Sequence, residues 1–91
     1  MFYNTLIKIY SSPDSNSYIK SIYADVQPYL KSIMFEDGFE INITRRVFCD
    51  IENSINIHSY MEIENEKYKV MDIKKWDSYM EVYLYKLKRQ V

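Results

Sequence analysis

The sequence predicts a small all-β fold, an antiparallel barrel of SH3-like or sandwich-like kind with one short helix or long loop, on three observations. Apolar and polar residues alternate with period two in at least four segments. Those segments are joined by short polar turns at the spacing of a small barrel or sandwich. Ten Tyr, four Phe and one Trp exceed what a minimal core needs, and they are residue types that suit strands. A chain of this length makes one domain, residues 1–91, with a thin core that buries about 60 to 65% of the unfolded surface.

Phe2 to Tyr10 reads as a first strand, with Thr5, Ile7 and Ile9 on one face and Leu6, Lys8 and Tyr10 on the other. Ser11 to Ser17 breaks it, because Pro sets its own φ and Ser, Asp and Asn compete for nearby backbone groups. Tyr18 to Gln27 resumes the alternation, Tyr18, Ile22, Ala24 and Val26 opposing Ile19, Ser21, Tyr23 and Asp25, and Pro28 is expected to end this second strand. Between Pro28 and Gly38 the period changes. Leu30, Ile33 and Met34 fall at i, i+3 and i+4, the spacing of one face of a two-turn helix begun by Pro28.

Gly38, the single glycine, follows Asp37, so the pair marks a turn that needs positive φ. The third strand, Phe39 to Cys49, turns Phe39, Ile41, Ile43 and Val47 inward and Glu40, Asn42, Thr44 and Arg46 outward. Arg45 falls on the inner face. Either the strand twists out of the core there, or the guanidinium reaches the strand end and meets an acid such as Asp25 or Asp50. Asp50 to Ser59 reads as a connection with a half strand at Ile55 to Ile57, and Tyr60 to Glu64 as a short strand turned by Glu64 to Lys67 into the final hairpin.

That hairpin organises the rest. Tyr68 to Ile73 runs out, Lys74 to Ser78 turns with Trp76 at its centre, and Tyr79 to Leu87 returns with Met80, Val82 and Leu84 on one face and Tyr79, Glu81, Tyr83 and Tyr85 on the other. Tyr68 and Val70 are out of phase with Met71 and Ile73, which signals a bulge or a strand buried on both faces. Trp76 either folds back over the barrel mouth or projects as an anchor into a neighbour. The expected core is Ile7, Ile22, Val26, Ile41, Ile43, Val47, Val70, Val82 and Leu84.

Chemistry is sparse. The net charge of −1 argues against a general nucleic-acid binder, which needs a basic surface to displace counterions. Cys49, alone, forms no disulfide within the chain and reads as a small buried hydrophobe in a chain suited to a reducing compartment. No apolar run is long enough to span a bilayer and no signal peptide is legible, so a soluble cytoplasmic product without membrane contact is expected. His58 and Cys49 lack the third group that would orient a catalytic pair, no metal-ligand spacing occurs, and one glycine cannot build a phosphate loop. No catalytic residue, metal or cofactor is expected, and Glu62, Glu64 and Glu66 read as solvated charges. Surplus Tyr points instead to an assembly surface, because Tyr gives contact area at low entropic cost.

The segments YADVQPY, EDGFEINITRRVFCD and YKVMDIKKWDSYMEVYLYK resemble, in kind and order from Tyr23 to Lys86, the small head-tail connector proteins of tailed bacteriophages and prophages, the head-closure or stopper family. The resemblance implies a small β-barrel that forms a ring of copies below the portal and adaptor proteins, closes the channel after DNA packaging and docks a tail or tail-terminator protein. It implies a virion protein made in the host bacterial cytoplasm, in passive contact with channel DNA. It further implies a gating loop, by position Pro28 to Asp37, with Tyr29, Leu30, Ile33, Met34 and Phe35; the alternative is that the same residues cap the open end of the barrel. Arg45, Arg46, Trp76, Tyr79, Tyr83 and Tyr85 are the candidate interface. A monomer or weak oligomer is expected in isolation, since each contact is small and many form at once on a partner ring. The rival reading is a small SH3- or OB-type barrel that binds nucleic acid or a peptide in the cytoplasm.

Overall fold

The computed structural model of the chain describes residues 3–34, 36, 38 and 40–86. Six strands follow in order: β1 Thr5–Tyr10, β2 Lys20–Met34, β3 Glu40–Asp50, β4 Tyr60–Ile63, β5 Glu66–Lys75 and β6 Tyr79–Lys86. They close into an antiparallel barrel in the order β1-β2-β3-β6-β5-β4, with β4 returning to β1. Closure pairs both edges of the sheet and removes the unpaired N–H and C=O row that an open edge presents.

Alternation fills the barrel as the sequence implies. Ile7 and Ile9 of β1, Ala24 of β2, Val47 and Cys49 of β3, and Met80, Val82 and Leu84 of β6 are buried together with Met61, Ile63, Tyr68 and Val70. Ile22 and Val26 are partly buried against this cluster. Ile43 is also buried, but Ile41, expected in the core, is only half-buried. It lies four residues beyond Arg45, the last residue of β3 that pairs with β6, and two residues further out along the β2–β3 pair than Ile43, opposite Ile33.

The phase slip in β5 is a bulge: Val70 faces Leu84 and Asp72 faces Tyr83, so Met71 is the extra residue. The slip returns Ile73 to the inner face opposite Val82. Glu64 and Asn65 join β4 to β5 with φ of 52° and 68°, a two-residue turn whose left-handed pair matches the twist of the flanking strands. Left-handed backbone costs a residue with a Cβ about 1 to 2 kcal/mol, less for Asn. Glu64→Asn with Asn65→Gly is therefore expected to stabilise the chain by about 1 kcal/mol, or about 5 °C in a thermal melt for a domain of this size. An unchanged or lower melting temperature would contradict the turn geometry. Gly38 has φ of 85° and a Cβ built there meets nothing within 4 Å, so backbone angle alone selects glycine.

The connection 51–59 contains no half strand. It makes two successive turns, closed by Ile55 N–H to Glu52 O at 3.2 Å and Ser59 N–H to Asn56 O at 2.9 Å. Polar side chains build them: Asn56 Oδ1 accepts from His58 N–H at 2.8 Å, and Ser59 Oγ accepts from Asn56 N–H at 2.9 Å. The turns push Ile55 into the core and leave Ile57 exposed, which is why the two do not behave as one strand face. Phe2, Phe35, Phe39 and Leu87 lie outside the described residues.

Candidate functional site

No helix occurs among the described residues, and the segment expected to be helical is the second half of β2. Beyond the barrel, β2 and β3 continue as a two-stranded arm. β1 leaves β2 at the Thr5–Ala24 pair and β6 leaves β3 at Arg45, whereas β2 and β3 stay paired to Met34–Glu40. Pro28 does not end the strand. It lies past the last β1 partner, where one side of β2 has no neighbour and the missing N–H is tolerated. The register passes from Pro28–Arg45 to Lys31–Ile43, so Tyr29 and Leu30 together face Thr44 in a bulge. That extra residue produces the spacing that resembles a helix: it shifts the phase of every later side chain by one position.

The arm divides the residues of the candidate gate. Leu30 is 83% and Met34 66% exposed, while Ile33 is half-buried opposite Ile41. On the other face Ser32 Oγ donates to Asn42 Oδ1 at 2.7 Å. Tyr29 belongs to the root, not the tip: its ring packs 5.3 Å from that of Tyr83 on the barrel wall and lies 5.2 Å from the Arg46 guanidinium. Nothing in the described residues places Phe35.

The candidate interface residues fall into two groups. Arg46, Tyr79, Tyr83 and Trp76 belong to one network on the outer face of β3, β6 and the turn that follows β5. Arg46 lies between Tyr29 and Phe48, 5.0 Å from the latter ring, and donates from Nη2 to Gln27 Oε1 at 2.9 Å. Phe48 packs on Tyr79 at 6.3 Å, and Tyr79 stacks on Trp76 at 6.1 Å and 24°. Trp76 is thus stacked on Tyr79 of the outer wall. It lies against Tyr79 with 51% of its surface exposed, its backbone N–H donating to the backbone O of Tyr79 at 2.9 Å. Tyr83 donates its hydroxyl to Glu81 Oε2 at 2.5 Å, and that bond, with burial, pushes its pKa up to about 12. Tyr85, further along β6, is half-buried.

Arg45 stands apart from them, on the inner face. It lines a cavity of about 350 Å³ at the arm end of the barrel with Val26, Pro28, Ile63, Glu66 and Tyr68. It meets neither Asp25 nor Asp50, since Asp25 pairs with the outward Phe48 and Asp50 lies at the far end of β3. Instead its guanidinium lies 5.9 Å from the Tyr68 ring and its Nη1 donates to Thr44 O at 2.8 Å. Glu64 and Glu66 line the same cavity, and of the two it is Glu66 that feels the guanidinium. Lys86 donates to that carboxylate at 2.9 Å and holds it below the ordinary range, with a smaller pull from Arg45.

Cys49 is 1% exposed, and burial pushes its thiol up to about 11 from the ordinary 9.0. The thiolate is disfavoured in the folded state, so this group's stabilisation is full below 9.0 and lost as pH rises towards about 11. In urea unfolding, wild type should lose stability across that window relative to Cys49→Ala; parallel pH profiles would refute it. His58 sits exposed in the connection 51–59. Among the described residues no group of three or more His, Cys, Asp or Glu side chains is placed to hold a metal ion.

Two exposed residues of the barrel wall are not among the candidates. Leu6 and Tyr23, 45% and 62% exposed, pair directly across β1 and β2 on the outer face. Their signal lies in the alternation itself, an apolar side chain at an outward phase in each strand. Comparison of the chain with protein-family models and with curated proteins finds no match.

Proposed function

We propose that the chain is a structural, non-enzymatic subunit of the head-tail connector of a tailed bacteriophage or prophage. Copies form a ring below the portal and adaptor proteins, their arms reach toward the axis to close the DNA channel, and the ring docks the tail. The observation that carries this reading is the arm, a two-stranded extension of an otherwise closed barrel, bearing exposed Leu30 and Met34. Apolar side chains held out on an extension gain nothing for one subunit and gain burial when several extensions converge. The resemblance adds support, because its segments fall on the arm root, β3 and the β5–β6 hairpin.

The test is deletion of the coding sequence from the phage or prophage genome that carries it. Induced cells should then accumulate tail-less heads that lose their DNA, and purified protein added to such heads should restore retention. Normal yields of tailed, infectious particles would overturn the proposal. Retardation of DNA or RNA by the purified chain at physiological salt would favour the nucleic-acid-binding barrel instead.

A further inference from the structure

Tyr10 has an outward phase and yet is not exposed. Alternation along β1 sets it on the outer face with Lys8, and it is no member of the core cluster, but only 5% of its surface is open. The loop between β1 and β2 covers it. Lys67 of β5 lies 3.9 Å from the Tyr10 ring and donates from Nζ to Pro13 O at 2.9 Å and to Ser15 O at 3.1 Å. Tyr18, at the far end of the loop, sets its ring edge-on to Tyr10 at 6.3 Å and 71°, with Lys8 Nζ 5.3 Å from it. Residues 11–18 thus lie along the outer wall as a strap with Tyr10 beneath it.

No side chain of the strap is buried. Its turns are closed by bonds internal to it, Ser15 N–H to Ser12 O at 3.4 Å and Ser17 N–H to Ser15 Oγ at 3.2 Å. Among the described residues, the hydrogen bonds that run from the strap to the rest of the chain are the two that Lys67 donates. Beyond Tyr18 the ladder resumes, with Ile19 N–H donating to Ile9 O at 2.7 Å. The connection 51–59 is held differently. Lys69 Nζ donates to Ile57 O at 2.7 Å, but there Ile55 sits in the core and Glu52 pairs with Lys20 at 2.7 Å. A segment without buried apolar contacts opens at a cost far below that of unfolding the domain, whereas one anchored in the core does not.

We propose that residues 11–18 open as a unit while the barrel stays folded, that Lys67 is the latch, and that opening bares the Tyr10 ring. The internal bonds travel with the strap, so opening breaks the two Lys67 bonds and the contacts of Tyr18 and little else. Water replaces both carbonyl acceptors of the ammonium, which leaves the closed state only weakly favoured. Closed, this part of the wall presents serines, Pro13 and Asp14. Open, it presents an aromatic ring beside Lys8 and Lys67, with Glu62 accepting the Tyr10 hydroxyl at 3.3 Å. The strap therefore switches the exposure of a side chain of the type that anchors protein contacts. The switch does not depend on the connector reading.

Nitration of the purified protein with tetranitromethane, mapped by peptide mass spectrometry, reads the opening at Tyr10. Tyr23, 62% exposed, is the open reference, and hydrogen exchange of the β6 amides reads the barrel. In wild type Tyr10 should react about tenfold more slowly than Tyr23. In Lys67→Met, which keeps the stem and removes the donor, Tyr10 should react about tenfold faster than in wild type, with β6 exchange unchanged. Loss of a nearby cation by itself disfavours the phenolate and slows the reaction, so an increase reports opening. Lys67→Arg, whose guanidinium reaches both carbonyls, should stay within about threefold of wild type. Tyr10 as reactive as Tyr23 in wild type, an unchanged rate in Lys67→Met, or β6 exchange rising in step with Tyr10 would overturn the strap.

Discussion

Val82→Asp is expected to leave the chain unfolded. Val82 is fully buried at the middle of β6 and faces Val47 of β3 and Ile73 of β5, both on the inner side of the barrel. A carboxylate there has no partner in view: its near neighbours are aliphatic, and an unpaired polar group in such a place costs several kcal/mol even when it takes up a proton. A domain of this size commonly has only about 5 to 15 kcal/mol of stability in all. Far-UV and near-UV circular dichroism with a urea titration will read the result. Tyr23→Asp is the control, because the same charge on the outer wall should shift stability by no more than about 0.5 kcal/mol. A cooperative, native-like transition in the Val82 variant would mean that β6 does not turn this residue inward.

The second large effect separates gate from cap. Replacing residues 32–42 with Asn-Gly, so that Lys31 and Ile43 are joined by a two-residue turn, removes the arm and keeps its root pair. No residue of the main core cluster is removed. The barrel should melt within a few degrees of wild type, and heads assembled with the shortened protein should carry the ring yet lose their DNA. A fall of more than about 10 °C would correspond to roughly 2 kcal/mol in a domain of this size, and would show that the arm covers the barrel end. Retention of DNA by an armless ring would remove the gate from the proposal.

Strands whose residues alternate without interruption are legible in the sequence, because period two reports a local fact: which way each side chain leaves the backbone. Ile7 and Ile9, Val47 and Cys49, and Met80, Val82 and Leu84 are inward for that reason, and the phase slip at Met71 marks a bulge by the same logic. Gly38 with its positive φ is equally local. The segment 28–34 is not. A bulge at Tyr29 and Leu30 shifts the phase of the residues after it, so Leu30, Ile33 and Met34 carry the spacing of a helix while lying in a strand. Only pairing with residues 40–43 decides between the two, and that pairing is made across a turn rather than within the segment.

Partnership across the sheet also decides the rest. Ile41 has the right phase for the core and misses it because it lies four residues past the end of β6 pairing at Arg45, further out than the buried Ile43. Ile55 lies in a polar stretch and enters the core because turns, not alternation, aim it there. Arg45 is inward as its phase requires, but its neighbours are Tyr68 and Glu66, set by barrel closure. Leu6 and Tyr23 are each one outward residue among many in the sequence. They become a patch only because the β1–β2 register sets them side by side. Alternation fixes the direction of a side chain; which side chains become neighbours is a property of register and closure, which depend on contacts distant in the chain.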